Sequence, residues 1–186
     1  MVASLPPVRK DNSRLKKTSS GEKSRWYVFY TAPRAEKVAY NQLIGLDYEA
    51  FLPLTKSLRI WKNRQKKWIE EVLFPSYIFV NTHACHLYRI VNLPKITACI
   101  RCGDKPSVIR HHEIEAIRKI LHHNENVFVQ SAVFHEGERA RIIRGPLAGC
   151  EGLLLKQKGK TRFGIQLEVI NHTLLVDIDT SFLEEL

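Results

Sequence analysis

The chain has 186 residues and a mass of 21.5 kDa, with 44% hydrophobic residues, room for one or two small domains. No apolar run approaches the roughly 18 residues of a membrane span, and Met1 to Arg25 lacks the apolar core of a signal peptide, so a cytoplasmic protein without a membrane partner is expected. The net charge of +10 is uneven: residues 1–25 hold seven bases against two acids, residues 26–133 fifteen against nine, and residues 134–186 seven against eight. A basic front and a near-neutral back assign polyanion contact to the front, with plain solubility as the alternative.

Residues 1–24 are polar, with Pro6-Pro7 and Thr18 to Gly21 marking turns. They carry too few large apolar groups to offset ordering entropy, which predicts a disordered basic tail. Trp26 to Thr31 is a strand by its aromatic and β-branched content. Pro33 suits the first turn of a helix, and Ala35, Val38, Ala39 and Leu43 give it an apolar stripe ending at Gly45. Arg34 and Lys37 lie at its start, as phosphate contacts or as solvated bases. Glu49 to Leu54 begins a second strand, and Ser57–Trp61 with Lys67–Leu73 forms a hairpin. Lys56, Arg59, Lys62, Arg64, Lys66 and Lys67 crowd this hairpin without an acid among them, between Trp61 and Trp68. The lysines are expected to meet nucleic acid, and Trp68 to pack on the sheet.

Leu73 to Val80 reads as a strand apolar on both faces, Tyr77 and Phe79 pointing one way and Ile78 and Val80 the other. It is either a fully buried core strand or a strand whose uncovered face is an aromatic binding surface. A helix over His83–Leu93 stops at Pro94, followed by a strand over Thr97–Cys102, a turn over Gly103–Pro106, a short strand over Ser107–Ile109, and a helix over Glu113–Leu121. This order predicts an α+β sandwich with helices largely on one side. Residues 124–133 are expected to be a linker. Strands over Glu138–Ile143, Cys150–Lys156, Arg162–Val169 and Thr173–Ile178, separated by glycine turns, predict a small all-β barrel.

Cys85, Cys99, Cys102 and Cys150 have no reason to pair as disulfides in this compartment. Cys99 and Cys102 have metal-ligand spacing, but positions three apart on a strand face opposite ways and no second such pair exists. No metal and no cofactor are expected. The histidines at 111, 112, 122 and 123 read as helix-end groups in solvent.

Two motifs then resemble the NusG family of transcription elongation factors. Trp26-Tyr27-Val28 and Leu73 to Val80 resemble its amino-terminal NGN domain, and Gly137 to Gly152, with Gly145, Pro146, Gly149 and Gly152, resembles its KOW motif. Phe51-Leu52-Pro53-Leu54, Leu58 to Trp61 and Lys66-Lys67-Trp68 look closest to specialised UpxY-type paralogues, antiterminators of long polysaccharide operons. The resemblance implies an NGN α/β sandwich with a mainly antiparallel sheet over 25–123 and an SH3-like KOW barrel over 134–186, a monomer with no catalysis of its own. It implies that Phe74, Tyr77, Phe79 and Cys102 bind RNA polymerase at the clamp helices of its largest subunit. Phe74 joins that face only if Pro75 breaks the strand alternation. Arg34, Lys37, Lys62, Arg64, Lys66 and Lys67 would approach upstream or non-template DNA, and the KOW domain would take a protein such as NusE or Rho. A general NusG factor, an RNA-binding ribosomal-type KOW protein and a zinc-dependent enzyme are the competing functions.

Overall fold

The computed structural model describes residues 23–60, 64–123, 127–132, 134, 137–157 and 160–186. Residues 1–22 of the expected tail, Trp61 and Lys62 lie outside these residues. In chain order the first part holds β1 (Arg25–Thr31), α1 (Glu36–Gly45), β2 (Glu49–Phe51), β3 (Leu54–Ile60), β4 (Lys66–Val72), β5 (Tyr77–Thr82), α2 (Leu87–Val91), β6 (Ile96–Cys99), β7 (Arg101–Cys102), β8 (Lys105–Pro106), β9 (Val108–Ile109) and α3 (His111–His123). The second part holds β10 (Val127–Gln130), β11 (Glu138–Ile142), β12 (Glu151–Gln157), β13 (Lys160–Leu167), β14 (His172–Asp177) and β15 (Leu183–Glu185). The fold is mixed α and β with mostly antiparallel sheets.

The first sheet has the order β2-β5-β1-β6, with β9 also paired to β1. β1 holds the centre because each of its residues from Trp26 to Tyr30 is aromatic or β-branched, which suits a strand packed on both faces. On one face Tyr27, Phe29, Ile78 and Val80 meet Ala39 and Leu43 of α1 and Ile90 of α2. On the other, Trp26, Val28 and Phe79 meet Ile114, Ile117 and Ile120 of α3. The helices therefore divide between the faces, where the sequence had predicted one side. α3 alone has a full apolar stripe, and its isoleucines three apart need a sheet face of their own.

α1 starts at Glu36, so Pro33 and Arg34 form the turn before it, with Arg34 at φ 62°. Its buried stripe is Glu36, Ala39 and Leu43; Val38 falls on the far side and is exposed. β3 and β4 pair only with each other, apart from the main sheet. β5 begins at Tyr77, four residues later than the sequence predicted. Proline lacks an amide donor, and Ser76 turns left-handed at φ 67°, so Phe74 to Ser76 cannot continue a ladder. Ser76 is held in that state at both ends: its carbonyl accepts the Thr31 amide at 2.8 Å, and its amide donates to the buried Glu36 carboxylate at 2.8 Å.

The second sheet has the order β10-β14-β13-β12-β11-β15 and is wholly antiparallel. β10 corrects the expected linker: Val127 to Gln130 is the edge strand against β14. Gly145 and Gly149 take φ values of 81° and 84°, closing the loop after β11, where the Gly149 amide donates to the Ile142 carbonyl at 2.7 Å. Gly152 has a different need: a Cβ there would lie 2.4 Å from the Gly164 carbonyl oxygen.

Candidate functional site

The aromatic face of the first sheet is built by register. Tyr30 pairs with Tyr77, Val28 with Phe79, and Phe51 with Phe79 across β1, β5 and β2. The Tyr30 and Tyr77 rings meet edge to face at 5.4 Å. The break at Pro75-Ser76 lets Phe74 turn back over this face, where its ring meets Phe79 at 6.1 Å and nearly perpendicular. The condition on Phe74 is thus met by the backbone, and three of the four predicted residues come together.

Cys102 does not join them. It is exposed on the two-stranded ribbon of β7 and β8 and belongs to neither core cluster. The predicted strand over Thr97–Cys102 breaks after Ile100: the Ile100 amide makes the last bond of the β1–β6 ladder, to the Val28 carbonyl at 2.8 Å, and Arg101 and Cys102 pair instead with Pro106 and Lys105. That break carries Cys102 away from the aromatics.

The face is not open. Phe74 and Phe79 are fully buried. His172, the first residue of β14, sets its ring edge to face against both Phe74 and Tyr77, each at 5.8 Å. Its Nδ1 donates to the Ile170 carbonyl, and its Nε2 lies 3.1 Å from the Ser131 hydroxyl, so the ring is fixed from within the second sheet. Ile142, Leu147, Cys150, Phe163 and Leu174 of the second part share one apolar cluster with Phe74, Phe79 and the isoleucines of α3. A cleft of about 500 Å³ lies between β12 and β13 on one side and, on the other, Arg110 just before α3 with Glu113 and Lys119 on its polar edge. The strand is therefore buried on both faces, as the core alternative expected, and the second part of the chain supplies some of the cover.

Burial, then the neighbouring Tyr30, raises the Tyr77 phenol above its usual value. Burial likewise raises the thiols of Cys99 and Cys150, against the smaller opposing effects of Arg101 and Lys119. Among the described residues no three His, Cys, Asp or Glu side chains converge as metal ligands.

The predicted nucleic-acid residues divide into two places. Arg64, Lys66 and Lys67 are exposed on the hairpin of β3 and β4. Arg34 is exposed before α1. Lys37 is engaged: its Nζ donates to the Glu70 carbonyl at 3.2 Å and lies 3.6 Å from the Glu70 carboxylate, tying α1 to β4. Trp68 corrects the expectation of packing on the sheet. It is 62% exposed, because the separate hairpin has no sheet beneath it.

Sequence reasoning missed Glu36, His172 and Arg118. The Arg118 guanidinium lies 5.2 Å from the Trp26 ring centroid and 5.0 Å from that of Phe51, with Glu115 at 2.9 Å. Helical spacing from Ile114 and Ile117 signals only that Arg118 borders the apolar stripe. Nothing local signals His172, which acts 95 or more residues from its partners in the chain.

A family model described as "Transcription termination factor nusG" matches residues 24–118, from just before β1 into α3. The chain belongs to the NusG family. The "Transcription termination/antitermination protein NusG" of Pseudomonas aeruginosa is 26% identical over 175 residues, covering 87% of this chain and 98% of that protein. The Escherichia coli K12 protein of the same description is 25% identical over 182 residues, covering 90% and 99%. A solved structure titled "Domain interaction in Thermotoga maritima NusG" shares the fold at a TM-score of 0.50 and 17% identity, covering 88% of this chain and 97% of that one. The protein is a NusG-like transcription termination/antitermination factor. No helix among the described residues is long and apolar enough to cross a membrane.

Proposed function

We propose that this NusG-family factor is an antiterminator that binds RNA polymerase through the rim of its aromatic face. Phe74 and Tyr77 would meet the clamp helices of the largest subunit, with Phe79 packing behind them. Cys102 is left out of this surface. Arg34, Arg64, Lys66 and Lys67 would face upstream or non-template DNA, with Lys62 beside them in sequence and Lys37 bracing the hairpin. Residues 134–186 act as the KOW domain and take a protein partner such as NusE or Rho, since their near-neutral charge gains little from phosphate. The factor works as a cytoplasmic monomer. The observation that carries the reading is the His172 contact on Phe74 and Tyr77: part of the cover of this aromatic rim comes from the other part of the chain, and a partner helix would replace it.

Two breadths of function differ. End-to-end similarity to the Pseudomonas and Escherichia proteins favours a general factor. The hairpin tract with Trp61 and Trp68 favours a specialised UpxY-type antiterminator of polysaccharide operons, and we adopt the latter. Transcript profiling after gene deletion separates them: loss of distal transcripts from few operons fits the specialised reading, and genome-wide loss fits the general one.

The polymerase contact is tested with Tyr77→Ala placed in a His172→Ala background, which removes competition from the internal cover. Truncating a hot-spot aromatic costs about 2 kcal/mol or more, about thirtyfold in Kd. Phe79→Ala is a poor probe, since emptying a fully buried phenylalanine site costs about 3–5 kcal/mol of folding stability. Polymerase affinity of the double variant equal to that of His172→Ala alone would remove Tyr77 from the interface.

A further inference from the structure

Trp68 is a large apolar side chain that neither core uses. It stands 62% exposed on β4, and β4 pairs only with β3. Its surroundings are cationic. Lys56, Arg64, Lys66 and Lys67 are all exposed on the same hairpin. Strand alternation puts Lys66 on the Trp68 face, about 7 Å away along the strand. Trp68 pairs across the hairpin with Leu58, so Lys56, two residues from Leu58, lies on the diagonal of the same face. Glu70, the acid on that face, is already engaged by Lys37.

We propose that this hairpin is a binding site for unpaired nucleic acid, with Trp68 the platform for one stacked base and Lys56, Arg64 and Lys66 the partners of its flanking phosphates. The proposal rests on the nucleic-acid reading of the hairpin bases and adds recognition of an open base. Stacking on an exposed indole requires a free π-face, which a paired and stacked base in a duplex lacks. A protein partner fits less well, because protein interfaces are depleted in lysine and Lys56 and Lys66 share the face of this ring. The hairpin therefore distinguishes melted from paired strands, where charge alone would hold both.

The test uses the full chain and fluorescently labelled oligomers of about twelve nucleotides, oligo-dT, oligo-U and a duplex, with affinity measured from about 50 to 200 mM salt. Trp68→Ala is expected to weaken single-strand binding about 5- to 150-fold at an unchanged salt slope, and to leave duplex binding alone. Trp68→Phe keeps a ring and should retain most of the affinity. An oligomer carrying abasic sites should bind the wild type as weakly as Trp68→Ala binds the intact strand. Loss on DNA, on RNA or on both supports the proposal and names the strand. Wild-type affinity of Trp68→Ala for both single strands overturns it, as does an equal loss on duplex. Replacing Arg64, Lys66 and Lys67 with Gln reports separately on the charged contacts: a flattened salt slope there, beside a silent Trp68→Ala, keeps the bases as the DNA contact and sinks the stacking site.

Discussion

The interaction between His172 and the Phe74–Tyr77 rim sets how readily the aromatic face becomes available. Replacing His172 with alanine removes two edge-to-face ring contacts, each at 5.8 Å. Contacts of this kind contribute about 0.5–1.5 kcal/mol apiece beyond area burial, so the docked arrangement loses about 1–3 kcal/mol. That is about 5- to 150-fold in the docking equilibrium. When the binding-competent form is a minor population, apparent affinity scales with that population. His172→Ala should therefore tighten polymerase binding by up to this factor, levelling off once the open form predominates. The control is His172→Phe. It loses the same hydrogen bonds to Ile170 and Ser131 but keeps a ring against Phe74 and Tyr77. Its polymerase affinity should stay near wild type. The assay is equilibrium binding of the full-length protein to core polymerase, with thermal melts to show that all three forms fold. Equal affinity of the alanine and phenylalanine variants would refute the reasoning, because the ring is the only difference that reaches the aromatic face.

Glu36→Ala leaves the Ser76 amide without its acceptor and frees the left-handed turn that aims Phe74. It should cost about 1–3 kcal/mol in denaturant unfolding, and a loss within error of zero would show that water replaces the carboxylate. The Cys99 and Cys150 thiols keep their protons in the folded protein above the ordinary value near 9.0, whereas the unfolded chain releases them there. Stability should thus fall as pH rises past that value, and fall less in a Cys99→Ala, Cys150→Ala variant; parallel melting curves for the two proteins across this range would discard the thiols as the cause. Iodoacetamide should modify the exposed Cys85 and Cys102 well before Cys150, and His172→Ala should quicken the Cys150 reaction, since that thiol faces Lys119 of α3 from the other part of the chain.

Much of the fold was legible because its strands and its longest helix carry their own periodicity. β1 is aromatic at Trp26, Tyr27, Phe29 and Tyr30, and α3 repeats isoleucine at Ile114, Ile117 and Ile120. The failures occurred where long-range contacts outweigh local pattern. Charge argues for Glu36 in solvent, yet it shares the buried stripe of Ala39 and Leu43, and an amide 40 residues away takes its carboxylate. Val127 to Gln130 is short and alternates weakly, and only its ladder with β14 makes it a strand. Trp68 was assigned to the core on hydrophobicity, which says nothing about whether a surface lies beneath it. The bases on the hairpin needed no fold to be found, since a run of six without an acid is visible in the chain itself.

The aromatic strand could not be resolved from sequence into core or interface for a more general reason. Both require the same side chains, and they differ only in what lies on top. In the structure the cover is graded. Phe79 packs against Phe51, Phe74 and the isoleucine stripe of α3, within the first part of the chain. Phe74 and Tyr77 instead meet His172, and Tyr30 at the same rim is 38% exposed. Separation of the second sheet would leave Phe79 under α3 and uncover the rim. A partner helix would then find rings whose positions are already set by the Ser76 turn and the Tyr30–Tyr77 register, with little ordering cost left to meet on binding. One stretch of sequence would thus serve as core at Phe79 and, on the proposed reading, as a removable interface two to five residues earlier.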